Sequence, residues 1–217
     1  MGIVFGKTGV AEPAFDVLLT RSSASVKYQI RKYGVRFACE TEVTSGKDGM
    51  GFKTLAEYIG VIGSPQNDGG KGIAMTAPVV TEQIKGTAIA MTAPVVKESV
   101  GSDKKKMAFM LPAEYDSMDK IPKPTNPNVK ISEIPSSTGA AHTFSGSCND
   151  EKAKTKAQEL IDQLKNDGVE IDEKEAIENF DLWQFHPPFT IPFLKKNEIW
   201  IDLTEEQVNH LSNKYTN

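Results

Sequence analysis

The chain has 217 residues, a formal net charge of −4 and a sequence pI of about 5.5. Its hydrophobic content of 39% and charged content of 25% are ordinary for a globular protein, so we expect one domain over residues 1–217. The acidic balance argues against a phosphate-neutralising surface, so we expect no nucleic-acid partner. No apolar run approaches the ~20 residues of a membrane helix. With no recognisable targeting segment, the sequence predicts a cytoplasmic protein without membrane insertion.

The N-terminal part predicts strands followed by a helix. Residues 1–14 are Gly-rich and predict a surface extension. Residues 15–19, 26–31 and 35–43 predict three strands, and Gly34 leads us to pair the last two as a hairpin. A first helix follows, which Gly63 and Pro65 should stop. Its apolar positions fall on one face: Phe52, Leu55, Ala56, Ile59 and Ile62.

One motif occurs twice, as IAMTAPVVTE at residues 73–82 and IAMTAPVVKE at residues 89–98. Its β-branched residues favour strands. Pro78 and Pro94 indicate a strand end, edge or bulge, because proline donates no ladder hydrogen bond. Residues 83–87 contain a glycine and predict a turn, so we expect a hairpin or two adjacent strands. Met75 and Met91 fit either core filling or an adaptable apolar pocket.

The second half repeats the plan of the first. Residues 107–111, 129–134, 141–145, 182–185 and 199–203 predict strands, and a Pro-rich connection spans residues 119–127. The clearest helix begins after Asn149 or Asp150 and ends at Gly168. A polar tail covers residues 204–217, in which a short helix is left open.

This order predicts an α+β fold. We expect a distorted antiparallel β-barrel or curved sheet with two α-helices, arranged as two pseudo-repeated halves.

Residues with catalytic chemistry do not form a recognisable constellation. The chain has no GxSxG, GxxxxGK[ST] or HExxH motif and no CxxC pair. Free thiols are the default for its two cysteines, although a disulfide between them stays open. We therefore expect no enzyme and no catalytic residues. The residues considered were His142, His186, His210, Cys39 and Cys148.

The segment before the last strand is unusually apolar. Its residues are Phe185, Pro187, Pro188, Phe189, Ile191, Pro192, Phe193 and Leu194. So many prolines exclude a helix or a central strand. Such a loop either packs down as a rigid plug or forms one wall of a cleft for a flat apolar ligand.

The chain resembles the SOUL haem-binding-protein family in its plant and algal form. The doubled MTAPV, following a helix with Phe52, Leu55 and Tyr58, carries the resemblance together with the ending HPPFTIPFLKKNEIW. The opening MGIVFGKTGV, then VKYQIRKY, MAFMLP and Phe144-Ser145-Gly146 match in the same order. The resemblance implies the same α+β architecture and a reversibly bound haem or other porphyrin as cofactor.

The resemblance also implies a position for the site, in a shallow apolar surface cleft between the first helix and the loop before the last strand. A tetrapyrrole needs apolar surface for its ring and cations for its propionates. Because the helix has a single apolar face that must also cover the sheet, only its edge can serve a ligand. The residues implied by the resemblance are Phe52, Lys53, Leu55, Ala56, Ile59, Phe185, His186, Phe189 and Phe193. Lys195 and Lys196, which end the apolar segment, are candidates for the propionates by their charge and position, and solvated surface is the alternative for them.

His186 is a candidate axial ligand, because haem iron often takes a histidine. The family more often carries Asp or Asn there, and many members hold the ring by its faces and edges. A surface histidine before Pro187 is the alternative. The function implied is non-catalytic binding of tetrapyrroles for buffering or transport. The alternative is a protein-interaction or small-apolar-ligand-sensing module.

Overall fold

The structure is a computed structural model that describes residues 11–44, 46–83, 104–186 and 190–215. Within these residues the chain forms nine β-strands and four α-helices, which confirms the α+β class. The strands are β1 (Phe15–Arg21), β2 (Tyr28–Tyr33), β3 (Arg36–Thr44), β4 (Val79–Gln83), β5 (Lys104–Met110), β6 (Lys130–Ile134), β7 (Ser137–Ser145), β8 (Asp181–Gln184) and β9 (Lys196–Asp202). The helices are α1 (Asp48–Ile59), α2 (Asp150–Asn166), α3 (Glu173–Asn179) and α4 (Glu205–Tyr215).

The nine strands form one antiparallel sheet in the order β1-β2-β7-β9-β8-β4-β5-β3-β6. The edge strands β1 and β6 do not pair with each other in the described part of the chain. Of the two expected forms, a distorted barrel or a curved sheet, the described residues therefore form an open sheet and not a barrel.

The sheet nevertheless curls strongly. Arg36 on β3 donates a hydrogen bond from Nη2 to Ser137 Oγ on β7, at 3.0 Å. The Arg36 guanidinium also lies 4.4 Å from the ring centroid of Tyr33 on β2. Strands near opposite ends of the sheet thus approach each other across one face, which we call the inner face. Curling of this kind follows from the natural twist of a large antiparallel sheet.

The predicted hairpin between the second and third strands is wrong. Strand β2 pairs with β1 and β7, whereas β3 pairs with β5 and β6. Alternation of apolar and polar residues marks a half-buried strand, but it does not identify the partner strand. The strands of the two expected halves also intermix, since β7 lies beside β2 and β8 beside β4.

Helix α1 covers β3 and β5 with its apolar face. It ends at Gly60, which adopts a left-handed φ of 80° and closes the helix with its N–H. The helix is thus shorter than expected at this end, and Ile62, assigned to its apolar face, is 39% exposed. The sequence has glycines at positions 60 and 63, and the sequence pattern does not show which of them ends the helix.

Helix α2 confirms the clearest helix prediction. The Asn149 side chain caps it by accepting a hydrogen bond from the Lys152 N–H at 3.0 Å. Its buried apolar stripe is the predicted one, consisting of Ala153, Ala157, Leu160, Ile161 and Leu164.

Two further helices complete the fold. The short α3 was not predicted, and it has no buried residue that would mark it in the sequence. Helix α4 occupies the polar tail and buries Val208 and Leu211, so the tail contributes to the core. Among the described residues, none of the helices has the length and apolar character needed to cross a membrane.

The first copy of the doubled motif leads into β4. Pro78 follows a cis peptide bond and directly precedes the strand. This agrees with the prediction that Pro78 lies at a strand end. Met75 packs against the cluster beneath α1. The second copy, with Met91, Pro94 and the expected turn, lies outside the described residues.

Three clusters of buried side chains hold the fold together. One lies beneath α2 and α4, and another lies beneath α1. The third covers the inner face and combines large aromatic side chains with alanines. Its buried members are Tyr33, Ala38, Ala77, Val80, Ala108, Met110, Ala141, Trp183, Phe185 and Trp200.

Candidate functional site

Most of the α1 residues expected in the site belong to the hydrophobic core instead. Leu55 and Ala56 are fully buried and Ile59 is 2% exposed. These three side chains have no surface to present to a ligand, because they face the sheet. Phe52 is half-buried, with its ring centroid 5.2 Å from that of Phe109. Of the α1 residues expected in the site, Phe52 and Lys53 therefore remain as the ones that could contact a ligand.

Lys53 lies on the exposed side of α1. Its side chain is 66% exposed, and its ammonium nitrogen lies 3.8 Å from Glu57 Oε1. A solvent-exposed ion pair of this kind contributes only about 0.3–0.5 kcal/mol. The ammonium can therefore exchange this partner for the carboxylate of a ligand at little cost.

The loop before β9 contains both buried and exposed apolar residues. Phe185 is 4% exposed and belongs to the inner-face cluster. Phe193 is 72% exposed, and the neighbouring Ile191 is 48% exposed. Phe193 lies within a short 3-10 turn, Pro192–Leu194. Phe189 lies outside the described residues, so Phe193 is the described phenylalanine of this loop that offers surface.

The two lysines after this loop have different surroundings. The Lys196 ammonium lies 3.7 Å from the centroid of the Phe185 ring. It also contacts Glu12 Oε2 at 3.6 Å and Glu198 Oε1 at 3.4 Å. Glu198 is itself buried and paired with Arg31 at 2.8 Å. Part of the Lys196 charge is therefore already neutralised. Lys195 is half-buried and directly follows the turn.

His186 has a defined hydrogen-bond arrangement. Its Nδ1 accepts a hydrogen bond from the backbone N–H of Lys196 at 3.1 Å. A neutral imidazole that accepts at Nδ1 carries its proton on Nε2. Nε2 is buried and has no hydrogen-bond partner in the described part of the chain. Iron ligation by Nε2 needs a lone pair where this tautomer has a proton, so the geometry opposes it.

The cysteines do not have the properties of nucleophiles. Both Cys39 and Cys148 are free thiols. Burial raises the pKa of Cys39 to about 12 and that of Cys148 to about 11. Both therefore stay protonated at neutral pH, whereas the thiolate is the reactive form. The described residues also contain no group of three His, Cys, Asp or Glu that could hold a metal ion.

An aromatic group on the inner face was missed by the sequence analysis. The rings of Trp183 and Trp200 stack with centroids 5.1 Å apart and planes 12° apart. Tyr33 packs its ring against both, with centroids 5.2 and 5.4 Å away. The available signal was an alternation of acid and tryptophan in Asp181-Leu-Trp183 and Trp200-Ile-Asp202. Antiparallel pairing places Asp181 opposite Trp200 and brings the four side chains together.

Comparison with known proteins assigns the chain to a family. The model of the family described as SOUL heme-binding protein matches residues 10–202. No curated protein matches the chain by sequence. Among solved structures, the C-terminal domain of EcmrR is similar, with a TM-score of 0.53 and 10% identity over 86% of this chain and 98% of that chain. An uncharacterized conserved protein from Listeria innocua has a TM-score of 0.51 and 9% identity over 82% of this chain and 93% of that chain.

The likeness to these two structures concerns the fold alone, because their identities are so low. The family model, in contrast, covers most of the chain, from the segment before β1 to the end of β9. The chain therefore belongs to the SOUL haem-binding protein family.

Proposed function

We propose that the protein binds haem or related tetrapyrroles reversibly at its surface, for buffering or transport and without catalysis. One observation carries the proposal, which is the match of the SOUL haem-binding family model to residues 10–202. The loop before β9 is supported as the position of the site, because it exposes apolar side chains on a short turn that begins with a proline.

The ring of the ligand would lie against Phe193 and Ile191. Full burial of one such side chain contributes about 1.5–3 kcal/mol, and each tenfold in affinity needs about 1.4 kcal/mol. Partial cover of two exposed apolar side chains is therefore enough for a reversible complex. The half-buried Phe52 on α1 is the apolar group that we propose for the other side of the cleft.

The anionic propionates would be held by lysines. Lys195 and Lys196 directly follow the loop, and Lys53 lies on the exposed side of α1. Charge-assisted hydrogen bonds of lysine to carboxylate are stronger than neutral ones. Of the three, Lys53 is the most exposed, so we assign it the largest share of propionate binding.

The iron would receive no ligand from His186. The hydrogen bond from the Lys196 N–H to Nδ1 favours the tautomer with a proton on Nε2. Apolar contacts to the ring therefore account for the binding, and the metal contributes little. The free thiol of the buried Cys39 agrees with a reducing compartment, so we retain the cytoplasm as the proposed location.

A second function uses the same exposed side chains. Phe193 and Ile191 would also serve a protein contact, in an interaction or small-apolar-ligand-sensing module without specific haem binding. Aromatic residues are enriched in such contacts.

Chemical-shift mapping with metal-free protoporphyrin IX separates these functions. The proposal expects saturable perturbations of the backbone amides of residues 190–196, except Pro192, and of Phe52 and Lys53. Saturable perturbations elsewhere would refute the site. The absence of saturable perturbation at micromolar protein would refute tetrapyrrole binding and favour the interaction module.

A further inference from the structure

A separate cavity opens at one end of the inner face. It has a volume of about 570 Å³ and lies where β8 and β9 meet the connection between β6 and β7. Small-molecule sites typically measure about 300–1,000 Å³, so this cavity is large enough for a ligand. The stacked indoles of Trp183 and Trp200 form one wall, and Ile134 and Pro135 add further apolar surface.

The charges around the cavity are balanced within the protein. Burial lowers the pKa of the Arg36 guanidinium, and the charges of Asp181 and Asp202 act on it in the opposite direction. Burial, together with the charges of Glu82 and Asp202, raises the pKa of Asp181 well above its ordinary value, which favours the uncharged form of this carboxyl. Glu82 is paired with Lys106 at 2.8 Å. Since Arg36 faces Asp202 and Glu82 has its own lysine, neither a cation nor an anion would find an unmet charge here.

Unmet hydrogen bonds, in contrast, are concentrated at this cavity. In the described part of the chain, Nε and Nη1 of Arg36 and Oδ1 of Asn179 are buried and have no hydrogen-bond partner. Both residues line the cavity, whereas the described residues contain two other such side-chain atoms. Buried polar groups in proteins are nearly always paired, and an unpaired one destabilises the fold. A ligand that supplies the missing partners would remove this destabilisation.

The remaining donor nitrogen of Arg36 is already used. Its Nη2 donates a hydrogen bond to Ser137 Oγ at 3.0 Å, and the guanidinium lies over the rings of Tyr33 and Trp183, with centroids 4.4 and 6.0 Å away. These contacts hold the guanidinium at the cavity wall and leave Nε–H and Nη1–H for a ligand. Because these two nitrogens and the Asn179 oxygen are covered by protein atoms, a ligand would reach them through a small rotation of the two half-buried side chains.

The unmet groups define the chemistry of the ligand. The guanidinium N–H groups need an acceptor, and the Asn179 oxygen needs a donor. A cyclic amide offers both on adjacent atoms of a flat ring, as a carbonyl oxygen and an N–H. A fused aromatic ring would add apolar contact area beside the two indoles.

We propose that this cavity binds a small uncharged cyclic amide with a fused aromatic ring, whose carbonyl oxygen accepts from Arg36 and whose N–H donates to Asn179. The site is separate from the proposed tetrapyrrole surface and uses none of its residues, so each can exist without the other.

Four probes of similar size test this proposal. The ligand 2-quinolinone is an uncharged bicyclic amide, and its N-methyl derivative keeps the carbonyl but lacks the N–H. The ligands 1-methylquinolinium and 1-naphthoate carry a positive and a negative charge. The full chain is titrated with each of them by calorimetry and by proton–nitrogen correlation spectra. The chain has two tryptophans and both line the cavity, so their indole N–H signals report on the site directly.

We expect saturable binding of 2-quinolinone with shifts of both indole signals. The N-methyl derivative should bind at least about threefold more weakly, because one hydrogen bond is lost, and the two ions at least about tenfold more weakly. If ordered water alone satisfies Arg36 and Asn179, 2-quinolinone will not bind saturably, and the proposal is overturned.

Variants assign each hydrogen bond to a named residue. Asn179→Ala should weaken 2-quinolinone binding at least about threefold and leave the affinity for the N-methyl derivative unchanged within about twofold, because that probe has no N–H to donate. Arg36→Lys keeps the positive charge but removes Nε and Nη1, so it should weaken both probes by about tenfold. If Arg36→Lys does not fold, the Asn179→Ala comparison decides alone. Asn166→Ala, at an exposed position on α2, is the matched control and should leave both affinities unchanged.

Phe193→Ala should also leave 2-quinolinone binding unchanged, which separates this site from the tetrapyrrole surface. Equal affinities for 2-quinolinone and its N-methyl derivative, tighter binding of either ion, or an unchanged 2-quinolinone affinity in Asn179→Ala would each overturn the proposal. A failure of protoporphyrin to bind would leave the 2-quinolinone result intact.

Discussion

The Nδ1 atom of His186 accepts a hydrogen bond from the backbone N–H of Lys196 at 3.1 Å. This hydrogen bond joins His186, near the start of the apolar loop, to Lys196, the first residue of β9. His186 therefore has a positional role. Because Nδ1 accepts this hydrogen bond, the proton of the neutral imidazole is on Nε2, and Nε2 has no free lone pair for iron.

The variant His186→Asn tests this role. Asparagine can keep an acceptor for the Lys196 N–H, so we expect the haem affinity to change less than threefold and the ferric absorption spectrum to stay the same. Absorbance titration with electron paramagnetic resonance measures both. A low-spin wild-type spectrum that is lost in this variant would contradict the arrangement.

Removal of the exposed aromatic ring in the loop should weaken tetrapyrrole binding. Phe193→Ala deletes apolar contact area, and we expect about three- to tenfold weaker binding of haem and of metal-free protoporphyrin alike, or about 0.7–1.4 kcal/mol. Since Phe193 is exposed, the melting temperature should hardly change.

A matched control is Met118→Ala, which removes another exposed apolar side chain, 49% accessible, away from the loop. We expect its titration to be the same as that of the wild type within twofold. Equal losses in both variants would mean that apolar exposure in general, rather than this loop, binds the ring.

The amphipathic elements could be read from the sequence, but their partners could not. The stripe of α2 and its Asn149 cap depend on local spacing, and the structure reproduces both. The pairing of β2 with β7 joins residues that are more than one hundred positions apart, as between Ile30 and Ala140. Such pairing is selected by packing across the whole sheet, which one strand's pattern does not encode.

The candidate site could likewise be predicted from the sequence only in part. The sequence identified the apolar loop but could not tell that Phe185 is buried while Phe193 is exposed, because both are phenylalanines in a Pro-rich segment. The Trp183–Trp200 pair was missed because it arises only from the register of β8 and β9. Whether a side chain faces a ligand or the core depends on tertiary structure.

Asp167 should make the stability depend on acid pH. Burial alone would raise its pKa, but hydrogen bonds from Arg21, Tyr28 and Tyr215 outweigh burial and lower it. Both oxygens are occupied, with Tyr28 Oη at 2.5 Å and Arg21 Nε and Nη2 each at 3.2 Å. A carboxyl whose pKa is lower in the folded state stabilises the fold above its unfolded pKa of about 3.9. This stability is lost as the pH falls through the folded pKa.

We therefore expect Asp167→Asn to lower the free energy of unfolding at neutral pH by about 1.5–3 kcal/mol, because the half-buried Arg21 loses its charged hydrogen-bond partner. It should also reduce the loss of stability below about pH 4. Urea unfolding at several pH values measures both effects. Asp162→Asn, at an exposed position on α2, is the control. An equal pH dependence in wild type and Asp167→Asn would contradict the assignment.

The close approach of Trp200 to β7 should make Gly139 sensitive to substitution. An added Cβ would lie 2.4 Å from the Ile201 carbonyl oxygen and 2.6 Å from the Trp200 indole, so Gly139→Ala should cost about 1–3 kcal/mol and change the tryptophan fluorescence. Gly34→Ala is the control, because nothing lies within 4 Å of its added Cβ. Equal unfolding free energies for the two variants would contradict this close packing of β7 against β9.

The most direct test of the central claim, binding of the tetrapyrrole ring without a protein ligand to the iron, compares two ligands on the unaltered protein. Soret absorbance titrations give the Kd of haem and of metal-free protoporphyrin IX. We expect both to bind saturably, with affinities within about tenfold of each other, a difference of at most ~1.4 kcal/mol. A haem complex more than about a hundredfold tighter, or about 2.7 kcal/mol, would show that the iron has a protein ligand and would contradict this account.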